Sequence, residues 1–458
     1  MRVLVCGSTG CIGGAVVQAL RSRGHVVIEA ARAGRDGPRS LALDFMVPTT
    51  PQQWAARLAV LRPDAIVNAV GILMPAAGQR FERVHAQGPI ELFRGAALAG
   101  VRRVVQVSAL GVDGSAASLA TPYLHSKLQA DDALAALSLE WAVVRPSLVY
   151  GPRSQSAALF ATLASLPLIA LPGRGAQPVQ PIHVYEVAEA IVRLVEAPQA
   201  PRAVVELGGP VALGYREMLA AYRRALGLGD AVWLPLPMAL MRLGAWAAEA
   251  LPQRAFCRDT LRLLERGNTS ARNAAETLLG RAPTALDTGL AITPPRPLVD
   301  LRVMLSPAIG WALRFSLAAM WLVTALVSAL MPAASGVLDL LARCGFVGAA
   351  GVAMLAASCT LNTTLGVLTL LRPSAWLYAV QAGAVLGYTG TAAWFMPELT
   401  LDHCGPLLKN LPVLMVVVLL WIARPAPAAA DAALRRPGRA PLLRSLLDGG
   451  PAATPTPR

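Results

Sequence analysis

The chain has 458 residues, of which 55% are hydrophobic and 15% are charged, and its formal net charge is +14. This length exceeds that of one ordinary domain, and charged residues nearly disappear between residues 305 and 423, so the composition predicts two or three units. The excess of arginine does not indicate nucleic-acid binding, because the arginines are scattered over about the first three hundred residues and cluster again only after the last apolar run.

The first predicted element is a buried strand, Val3 to Cys6, which leads directly into a glycine-rich loop and then into an apolar helix. Glycines at intervals of three permit a tight turn, the close approach of a pyrophosphate and tight packing of the helix on the strand. The helix N-terminus supplies an anion site. The sequence therefore predicts a dinucleotide-binding loop, with Gly7, Ser8, Thr9, Gly10, Cys11, Ile12 and Gly13 as binding residues. No charged-then-apolar leader precedes this strand, so we expect the first domain to stay in the cytosol.

The second predicted strand runs from His25 to Ala31 and is followed by Arg32. An acidic residue at this place binds the ribose 2′-hydroxyl of NAD, whereas a basic residue accepts the 2′-phosphate of NADP. Arg32 therefore favours NADP over NAD as the cofactor. An ordinary solvated surface arginine is the alternative interpretation of the same residue.

Three more strands are predicted, each followed by a helical pattern. One ends at residues 43–45 and places Asp44 where it can bond the adenine amino group; the next runs from residue 65 to 71, where Ala69, Val70 and Gly71 leave room for the adenine ring and ribose. A strand-end cap is the alternative role for these positions. A further strand, residues 103–108, ends at Ser108. The alternation of strand and helix predicts an α/β Rossmann-like, doubly wound parallel sheet.

Tyr123 and Lys127 are four residues apart and lie one turn apart on a predicted helix. The ammonium group favours the phenolate, so we expect it to lower the pKa of Tyr123 toward neutrality. Tyr123 is therefore the predicted proton donor or acceptor.

Four segments together resemble the extended and atypical short-chain dehydrogenase/reductases, in particular the branch related to the dinucleotide-binding accessory subunit of respiratory complex I. They are the glycine loop and residues 108–111, 123–127 and 144–152. The resemblance covers about the first 290 residues. It implies that Tyr123, Lys127 and Ser108 are catalytic, that Lys127 holds the nicotinamide ribose, that Ser108 orients the substrate, and that the backbone near Pro146 faces the nicotinamide.

The six cysteines show no Cys-x-x-Cys spacing and no grouping with the histidines, so the sequence predicts no metal site. His183 is interpreted as structural rather than catalytic. Residues 214–290 alternate amphipathic helices with prolines, and we assign them to a small substrate lobe that completes a nucleotide-binding domain over residues 1–300. For residues 236–251 a membrane-surface role is an alternative to packing within this lobe.

Four apolar runs then predict membrane spans at residues 309–331, 347–371, 374–395 and 407–423. Arginines lie mainly on one side of these spans, and the two loops on the other side, residues 331–339 and 397–405, carry no Lys or Arg. We therefore expect a multi-pass protein of the inner, cytoplasmic membrane with both ends in the cytoplasm. The last segment, residues 424–458, is rich in Pro, Ala and Arg and is predicted to be a disordered cytoplasmic tail.

Residues 396–402 and 405–412 resemble the signature of the DoxX-like four-helix membrane domain, and the similarity extends over about residues 305–423. This resemblance implies a loose association with membrane redox and quinone processes. The expected partners are thus a lipid bilayer and a small-molecule substrate that the sequence does not identify.

Two functions remain open at this point. The first is a membrane-anchored NAD(P)-dependent oxidoreductase that acts on a carbonyl or alcohol, and amphiphilic substrates drawn from the bilayer are among the candidates. The second is a non-catalytic, nucleotide-binding assembly or sensor subunit of a respiratory or quinone-related membrane complex, which would be its membrane-complex partner.

Overall fold

A computed structural model describes residues 1–34, 36–72, 79–248, 258–295, 307–332, 336–397 and 408–422. Its strands are β1 (Arg2–Cys6), β2 (Val26–Ala31), β3 (Ser40–Ala42), β4 (Ala65–Asn68), β5 (Arg103–Val107), β6 (Glu140–Pro146), β7 (Val149–Tyr150), β8 (Leu168–Pro172), β9 (Pro178–Val179), β10 (Ile182–His183), β11 (Ala203–Leu207), β12 (Leu213–Gly214) and β13 (Val232–Leu236).

Twelve helices lie in the part of the described chain before residue 296: α1 (Cys11–Ser22), α2 (Pro51–Leu61), α3 (Gly88–Leu98), α4 (Ala116–Leu119), α5 (Pro122–Ala135), α6 (Gln155–Ser165), α7 (Val184–Glu196), α8 (Tyr215–Ala225), α9 (Met238–Ala248), α10 (Arg258–Arg266), α11 (Ala275–Leu279) and α12 (Leu286–Ile292). One turn of π-helix, Glu82–Gln87, leads into α3. The expected strands and helices are therefore present, with ends that differ from the predicted ones by a few residues.

The main sheet contains seven strands in the order β11-β6-β5-β4-β1-β2-β3. Every neighbouring pair in it is parallel. Both of its faces are covered: in β1, Val3 and Val5 belong to one buried cluster, whereas Leu4 and Cys6 belong to another. Burial on both faces explains the uninterrupted apolar run of β1. The predicted doubly wound parallel sheet is confirmed.

Residues 148–290 contribute a separate small lobe, which packs around its own buried cluster. This cluster joins α6, α8 and α12 to the ribbon formed by β8 and β13. One residue from the far end of the described chain, Ile422, belongs to the same cluster, and Val418 packs against it. The lobe is therefore in contact with the last apolar helix.

The C-terminal part contains α13 (Pro307–Leu330), α14 (Val337–Arg343), α15 (Gly348–Leu371), α16 (Ala375–Phe395) and α17 (Asn410–Ile422). In the described chain, two stretches are long and apolar enough to cross a membrane, residues 310–330 and 348–371. The other two predicted spans are also helical. Helix α16 has 21 residues but a lower mean hydropathy than these two stretches, and α17 has 13 residues. The predicted tail and most of the loop before α17, residues 398–407, lie outside the described residues.

The apolar helices share a buried cluster that contains Leu317, Trp321, Leu365, Tyr378 and Val417, among others. A short chain of polar side chains crosses it. Gln381 Nε2 donates to Thr369 Oγ1 at 2.8 Å, and Trp321 Nε1 donates to Gln381 Oε1 at 3.2 Å. These hydrogen bonds link three different helices inside an apolar environment, where unpaired polar groups are costly.

Candidate functional site

The candidate site lies at the carboxyl ends of the central strands. Strand β1 has β2 on one side and β4 on the other, so the order of the strands reverses at β1. Ligands of open parallel sheets bind in the crevice at such a switch point. The glycine-rich loop begins there, directly after β1.

The three glycines of the loop leave no space for side chains. Gly7 has a φ of +80°, and a Cβ added to it would lie 3.0 Å from Ala69 O. A Cβ on Gly13 would lie 2.1 Å from Gly7 O, and one on Gly10 would lie 3.2 Å from the same atom. These contacts explain the spacing: Gly7 makes the turn and Gly13 lets α1 pack against it. The exposed backbone at Gly10 fits the approach of a phosphate group.

The first turn of α1 carries no acidic residue, and Gly10 is its N-cap. Arg153 lies close by, because its Nη1 atom would be 3.2 Å from a Cβ placed on Gly14. The helix terminus and this guanidinium thus favour an anion at the same place. Arg153 was not predicted from the sequence, although it directly follows the segment 144–152 that carries the family resemblance.

A cleft opens beside the loop, and eight of the predicted cofactor-binding residues line it: Gly7, Thr9, Gly10, Arg32, Asp44, Ala69, Val70 and Gly71. Residues that were not predicted also line it, including Phe45, Ile72, Gln79 and Val84. Asp44 lies at the rim, where its Oδ1 accepts a 2.9 Å hydrogen bond from Met46 N. Arg32 directly follows β2, the neighbour of β3 in the sheet, and its side chain is exposed. The residues that line the cleft suit an adenine, a ribose and a phosphate.

Four predicted loop residues do not line this cleft. Ser8 is buried and its Oγ donates to Ala30 O at 3.4 Å, while Gly13 packs on Gly7. Cys11 Sγ lies 3.4 Å from Pro152 O, and burial raises the pKa of its thiol to about 11. Ile12 packs against the core of the sheet. These four residues hold the loop in place.

Lys127 brings the predicted catalytic helix to the cleft. Its Nζ donates to Val107 O at 3.0 Å and to Val70 O at 3.4 Å, and a Cβ added to Gly71 would lie 3.3 Å from Nζ. The ammonium group is therefore adjacent to the cleft wall. Burial lowers the pKa of Lys127 to about 8, and the negative charge of Asp131 opposes this shift.

Tyr123 lies on the same helix, α5, beside two aromatic rings. The centroid of its ring is 5.4 Å from that of His85 and 5.8 Å from that of Phe81, in edge-to-face arrangements. Burial raises the pKa of Tyr123 to about 12, and the charge of Asp131 acts in the same direction. The expected lowering of this pKa by Lys127 is therefore not found. Desolvation of the phenolate outweighs the attraction of the ammonium group.

Ser108 is placed differently from the expectation. Its Oγ donates a 2.7 Å hydrogen bond to Asp131 Oδ2, and Arg145 donates to the same oxygen from Nη2 at 3.0 Å. Burial raises the pKa of Asp131, while the contacts with Ser108 and Arg145 lower it. The Ser108 hydroxyl is thus directed at α5. Pro146, at the end of β6, accepts a hydrogen bond from Leu110 N at 3.0 Å and holds the neighbouring loop.

His85 is buried next to Tyr123 on the π-helical turn. Its Nε2 accepts a 2.9 Å hydrogen bond from Ile72 N, and its Nδ1 lies 3.1 Å from Ser126 Oγ. Burial lowers the pKa of His85 to about 2, and the charge of Lys127 acts in the same direction. His85 is therefore a neutral ring that positions the segment after Gly71 against α5.

Sequence reasoning missed Asp131, Arg145 and His85. Tyr123, Lys127 and Asp131 follow one another at intervals of four on α5, so helical spacing was a signal for Asp131. Arg145 lies within a segment that the resemblance already singled out. His85 had no signal, because its position depends on the contact between two elements that are distant in sequence.

Two family models match the chain. Residues 3–208 match the NAD dependent epimerase/dehydratase family, and residues 318–418 match the DoxX-like family. The predicted combination of a short-chain-dehydrogenase-like Rossmann domain with a DoxX-like domain is confirmed. The narrower resemblance to the complex I accessory subunit stays a prediction.

Among curated proteins, the 3-diazoavenalumate denitrifying reductase of a Streptomyces species is 32% identical over 114 residues. The match spans 24% of this chain and 38% of that reductase. Among solved structures, Pal from Bacillus thuringiensis has 16% identity and a TM-score of 0.51, and the match covers 66% of this chain and 100% of Pal. A human epimerase family protein with NADPH has 22% identity and a TM-score of 0.49, covering 63% and 98% of the two chains. At this identity, the likeness to Pal shows the fold alone.

The family assignment of the first domain supports a nicotinamide dinucleotide as the cofactor. The DoxX-like match and the two long apolar helices indicate a membrane protein. Together these findings support an NAD(P)-dependent, oxidoreductase-like membrane protein.

Proposed function

We propose that this chain, which joins an epimerase/dehydratase-type domain to a DoxX-like domain, is a membrane-anchored NADP(H)-dependent oxidoreductase that transfers a hydride to or from a carbonyl or alcohol. The main support is the position of Lys127: its Nζ lies against Val70 and Gly71, which line the dinucleotide cleft, and Tyr123 is one helical turn away. A proton-transfer group and a cofactor cleft thus meet at one edge of the sheet.

The residues around the cleft fit the cofactor. The loop Gly7–Gly13 and the first turn of α1 would hold the pyrophosphate, Asp44 and the segment Ala69–Gly71 the adenosine, and Lys127 the nicotinamide ribose. The bound nicotinamide would supply or accept the hydride. Pro146 would stand near this end of the cofactor, as the family resemblance implies.

Tyr123 would exchange the proton with the substrate oxygen. Because its pKa is raised to about 12, Tyr123 stays protonated at neutral pH and is suited to donate its proton to an oxygen that gains negative charge. Lys127 would hold the ribose and place the phenol. Ser108 would act on the substrate only after its hydroxyl leaves Asp131.

Arg32 supports NADP(H) as the form of the cofactor. It lines the cleft directly after β2, where the adenosine 2′ position is read in Rossmann domains. An exposed guanidinium there would pair with a 2′-phosphate.

The apolar helices would anchor the enzyme in the inner, cytoplasmic membrane as a multi-pass protein with both ends in the cytoplasm. Two of them are long and apolar enough to span, and the arginines of the sequence lie mainly on one side. We take residues 1–300 as the nucleotide-binding domain, 305–423 as the membrane domain and 424–458 as a tail. This anchoring would raise the local concentration of an amphiphilic substrate that is drawn from the bilayer.

Two observations favour a second candidate, a nucleotide-binding assembly or sensor subunit of a membrane complex. The hydroxyl of Ser108 is bonded to Asp131 rather than directed at the cleft, and the pKa of Tyr123 is raised rather than lowered. A domain that keeps its nucleotide for stability would need neither group for chemistry.

Two variants of the full-length protein separate the candidates. Tyr123→Phe removes the proton donor, so an oxidoreductase should lose nearly all turnover of carbonyl substrates and still bind NADPH, as followed by nucleotide fluorescence. Tyr215→Phe, which removes a phenolic hydroxyl from the core of the small lobe, is the matched control and should keep its activity. Gly10→Glu places a carboxylate at the phosphate site, and both candidates predict that it loses the nucleotide. Gln52→Glu, in the first turn of α2, adds the same charge away from the cleft and should retain the nucleotide.

For an assembly subunit, Tyr123→Phe would have no effect, and Gly10→Glu would lower the melting temperature or release a membrane partner. An oxidoreductase role is refuted if the native protein reduces no member of a broad panel of carbonyls and quinones in a Tyr123-dependent way. Retention of no NAD(P) by detergent-solubilised native protein would refute both candidates.

A further inference from the structure

The ribbon of β8 and β13 is apolar on both of its faces. The strands are parallel, and Val232 pairs with Leu168, Trp233 with Ile169 and Leu234 with Ala170. Residues on one face, such as Ile169, are packed in the core of the small lobe. The opposite face presents Leu168 and Val232 to the outside, exposed by 47% and 46%, with Ala170 and Leu234 beside them.

Strands that cover a soluble domain alternate apolar and polar residues, because the outer face contacts water. The outer face of this ribbon has no charged residue along β8 or β13. Single exposed apolar side chains are common, but a continuous apolar surface indicates a binding face. Some apolar environment must therefore cover it.

Helix α9 follows β13 after one proline and carries a second set of exposed apolar residues. Leu240, Leu243 and Trp246 recur at intervals of three on this helix, and their side chains are exposed by 54%, 59% and 61%. Residues at this spacing lie along one side of a helix. The exposed apolar surface, which we call the lobe surface, consists of Leu168, Ala170, Val232, Leu234, Leu240, Leu243 and Trp246.

The last apolar helix connects the core of the small lobe to the bundle of apolar helices. Ile422, at the end of α17, belongs to the buried cluster of the small lobe, and Trp233 and Val418 pack against that cluster. On its other side α17 contributes Val417 and Leu420 to the cluster of the membrane-type helices. The small lobe therefore packs against the end of α17, which also belongs to the bundle of apolar helices.

An arginine beside the lobe surface fits the headgroup region. Arg242, between Leu240 and Leu243 on α9, has a side chain that is 64% exposed, and its Nε lies 3.0 Å from Glu265 Oε1. Trp246 stands at the end of the exposed row. Tryptophan and arginine at the border of an apolar surface are typical of segments that lie in the membrane interface.

From these observations we infer that the lobe surface is a second, interfacial membrane contact, in which the β8–β13 ribbon and α9 lie on the lipid bilayer beside the spanning helices. Helices of this kind bury their apolar face about 5–10 Å into the boundary between headgroups and acyl chains. In this arrangement the lobe surface faces lipid. This inference rests on the membrane anchoring in the proposed function, and not on catalysis.

A photocrosslinking experiment tests the contact. Full-length protein is reconstituted into phosphatidylcholine–phosphatidylglycerol vesicles that contain a radiolabelled phospholipid, with p-benzoylphenylalanine in place of Leu243. Two control positions carry the same group. Leu98, on α3 of the sheet domain, is the matched exposed leucine, at 62% exposure, and Val323, on α13, lies in a candidate span. After irradiation, positions 243 and 323 should attach labelled lipid, and position 98 should remain at the level of the unsubstituted chain.

Each other outcome overturns the inference. If position 323 attaches lipid and position 243 resembles position 98, the bilayer does not cover the lobe surface, although the anchoring stands. If position 243 instead forms a covalent dimer of the chain, a second copy covers the surface. If position 323 also fails to attach lipid, the anchoring itself is wrong. Binding of NADPH, measured on the same samples, reports separately on the nucleotide half of the proposed function.

Discussion

The hydroxyl of Ser108 donates a 2.7 Å hydrogen bond to the carboxylate of Asp131, and Arg145 contacts the same oxygen. The carboxylate is 3% exposed and the guanidinium 12%. Removal of one partner from a buried pair leaves an uncompensated charge, which costs about 3–5 kcal/mol. The network therefore links the end of β5 to α5 and β6, and we expect its loss to reduce the free energy of unfolding.

We expect Asp131→Asn to lower the free energy of unfolding by about 3 kcal/mol, because Arg145 would remain buried without a charged partner. Thermal unfolding in detergent measures the loss. The matched control is Asp287→Asn, which breaks an ion pair with Arg224 that is more than half exposed and should cost less than about 1 kcal/mol. Equal stability of the two variants would show that the buried network contributes little.

Arg32 should determine the choice between NADP and NAD. Loss of a charged hydrogen bond to the 2′-phosphate costs about 1.5–3 kcal/mol, so Arg32→Ala is expected to weaken NADPH binding roughly ten- to hundred-fold. Its affinity for NADH should change little. Titration of nucleotide fluorescence gives both constants, with Arg39→Ala as the control for an exposed arginine nearby. A parallel loss for both nucleotides would contradict the assignment of NADP.

His183 should make the protein sensitive to acid. Burial lowers the pKa of His183 to about 4, and its Nε2 is 2.8 Å from Thr293 Oγ1. The unfolded chain binds this proton near the ordinary pKa of 6.5, so stability is present above that value and is lost as the pH falls from about 6.5 toward 4. Between pH 7 and pH 5 the loss from this group is about 2 kcal/mol.

The variant His183→Gln lacks this protonation and the loss of stability that follows from it. Its melting temperature should therefore depend less on pH between 7 and 5 than that of the native protein. His25→Gln, which removes a histidine that contacts Glu196 near the surface, is the comparison. An unchanged pH dependence in His183→Gln would mean that other groups control the acid response.

Gln381 should stabilise the helical bundle. It donates to Thr369 and accepts from Trp321, and its side chain is fully buried. Side-chain hydrogen bonds between membrane helices contribute about 0.6 kcal/mol on average, so Gln381→Leu should cost roughly 1–2 kcal/mol for two bonds and the unpaired partners. Thr360→Val, which removes a hydroxyl that bonds only within its own helix, is the control. An increase in melting temperature for Gln381→Leu would show that apolar packing is preferred there.

The sequence was sufficient to predict the parallel sheet and many of the residues that line the cleft, because both depend on local patterns. Apolar runs bounded by glycine predict the strands, and the positions Gly7, Gly10 and Gly13 determine the turn that follows β1. Eight of the predicted cofactor residues line one cleft as a result. Two strands were predicted to end at residues 43–45 and at residue 71, whereas they end at Ala42 and Asn68, because apolar residues continue past the last paired residue.

The chemistry around Tyr123 was harder to predict. The spacing of Tyr123 and Lys127 is visible in the sequence, but the pKa of the phenol depends on how deeply α5 is buried and on Asp131, which faces the same space. The orientation of the Ser108 hydroxyl depends on Arg145, from a strand that is 37 residues away. The burial of α5 and the orientation of the Ser108 hydroxyl arise from tertiary contacts and leave no periodic signal.

Ile422 bears on how the protein is made. The other members of its cluster lie between residues 150 and 290, yet the cluster is complete only when this residue, near the end of the described chain, is in place. The ribosome must therefore synthesise the chain through Ile422 before the core of the small lobe is complete. Under the proposed membrane anchoring, a chain stalled before this point would present an unfinished lobe to cellular quality control.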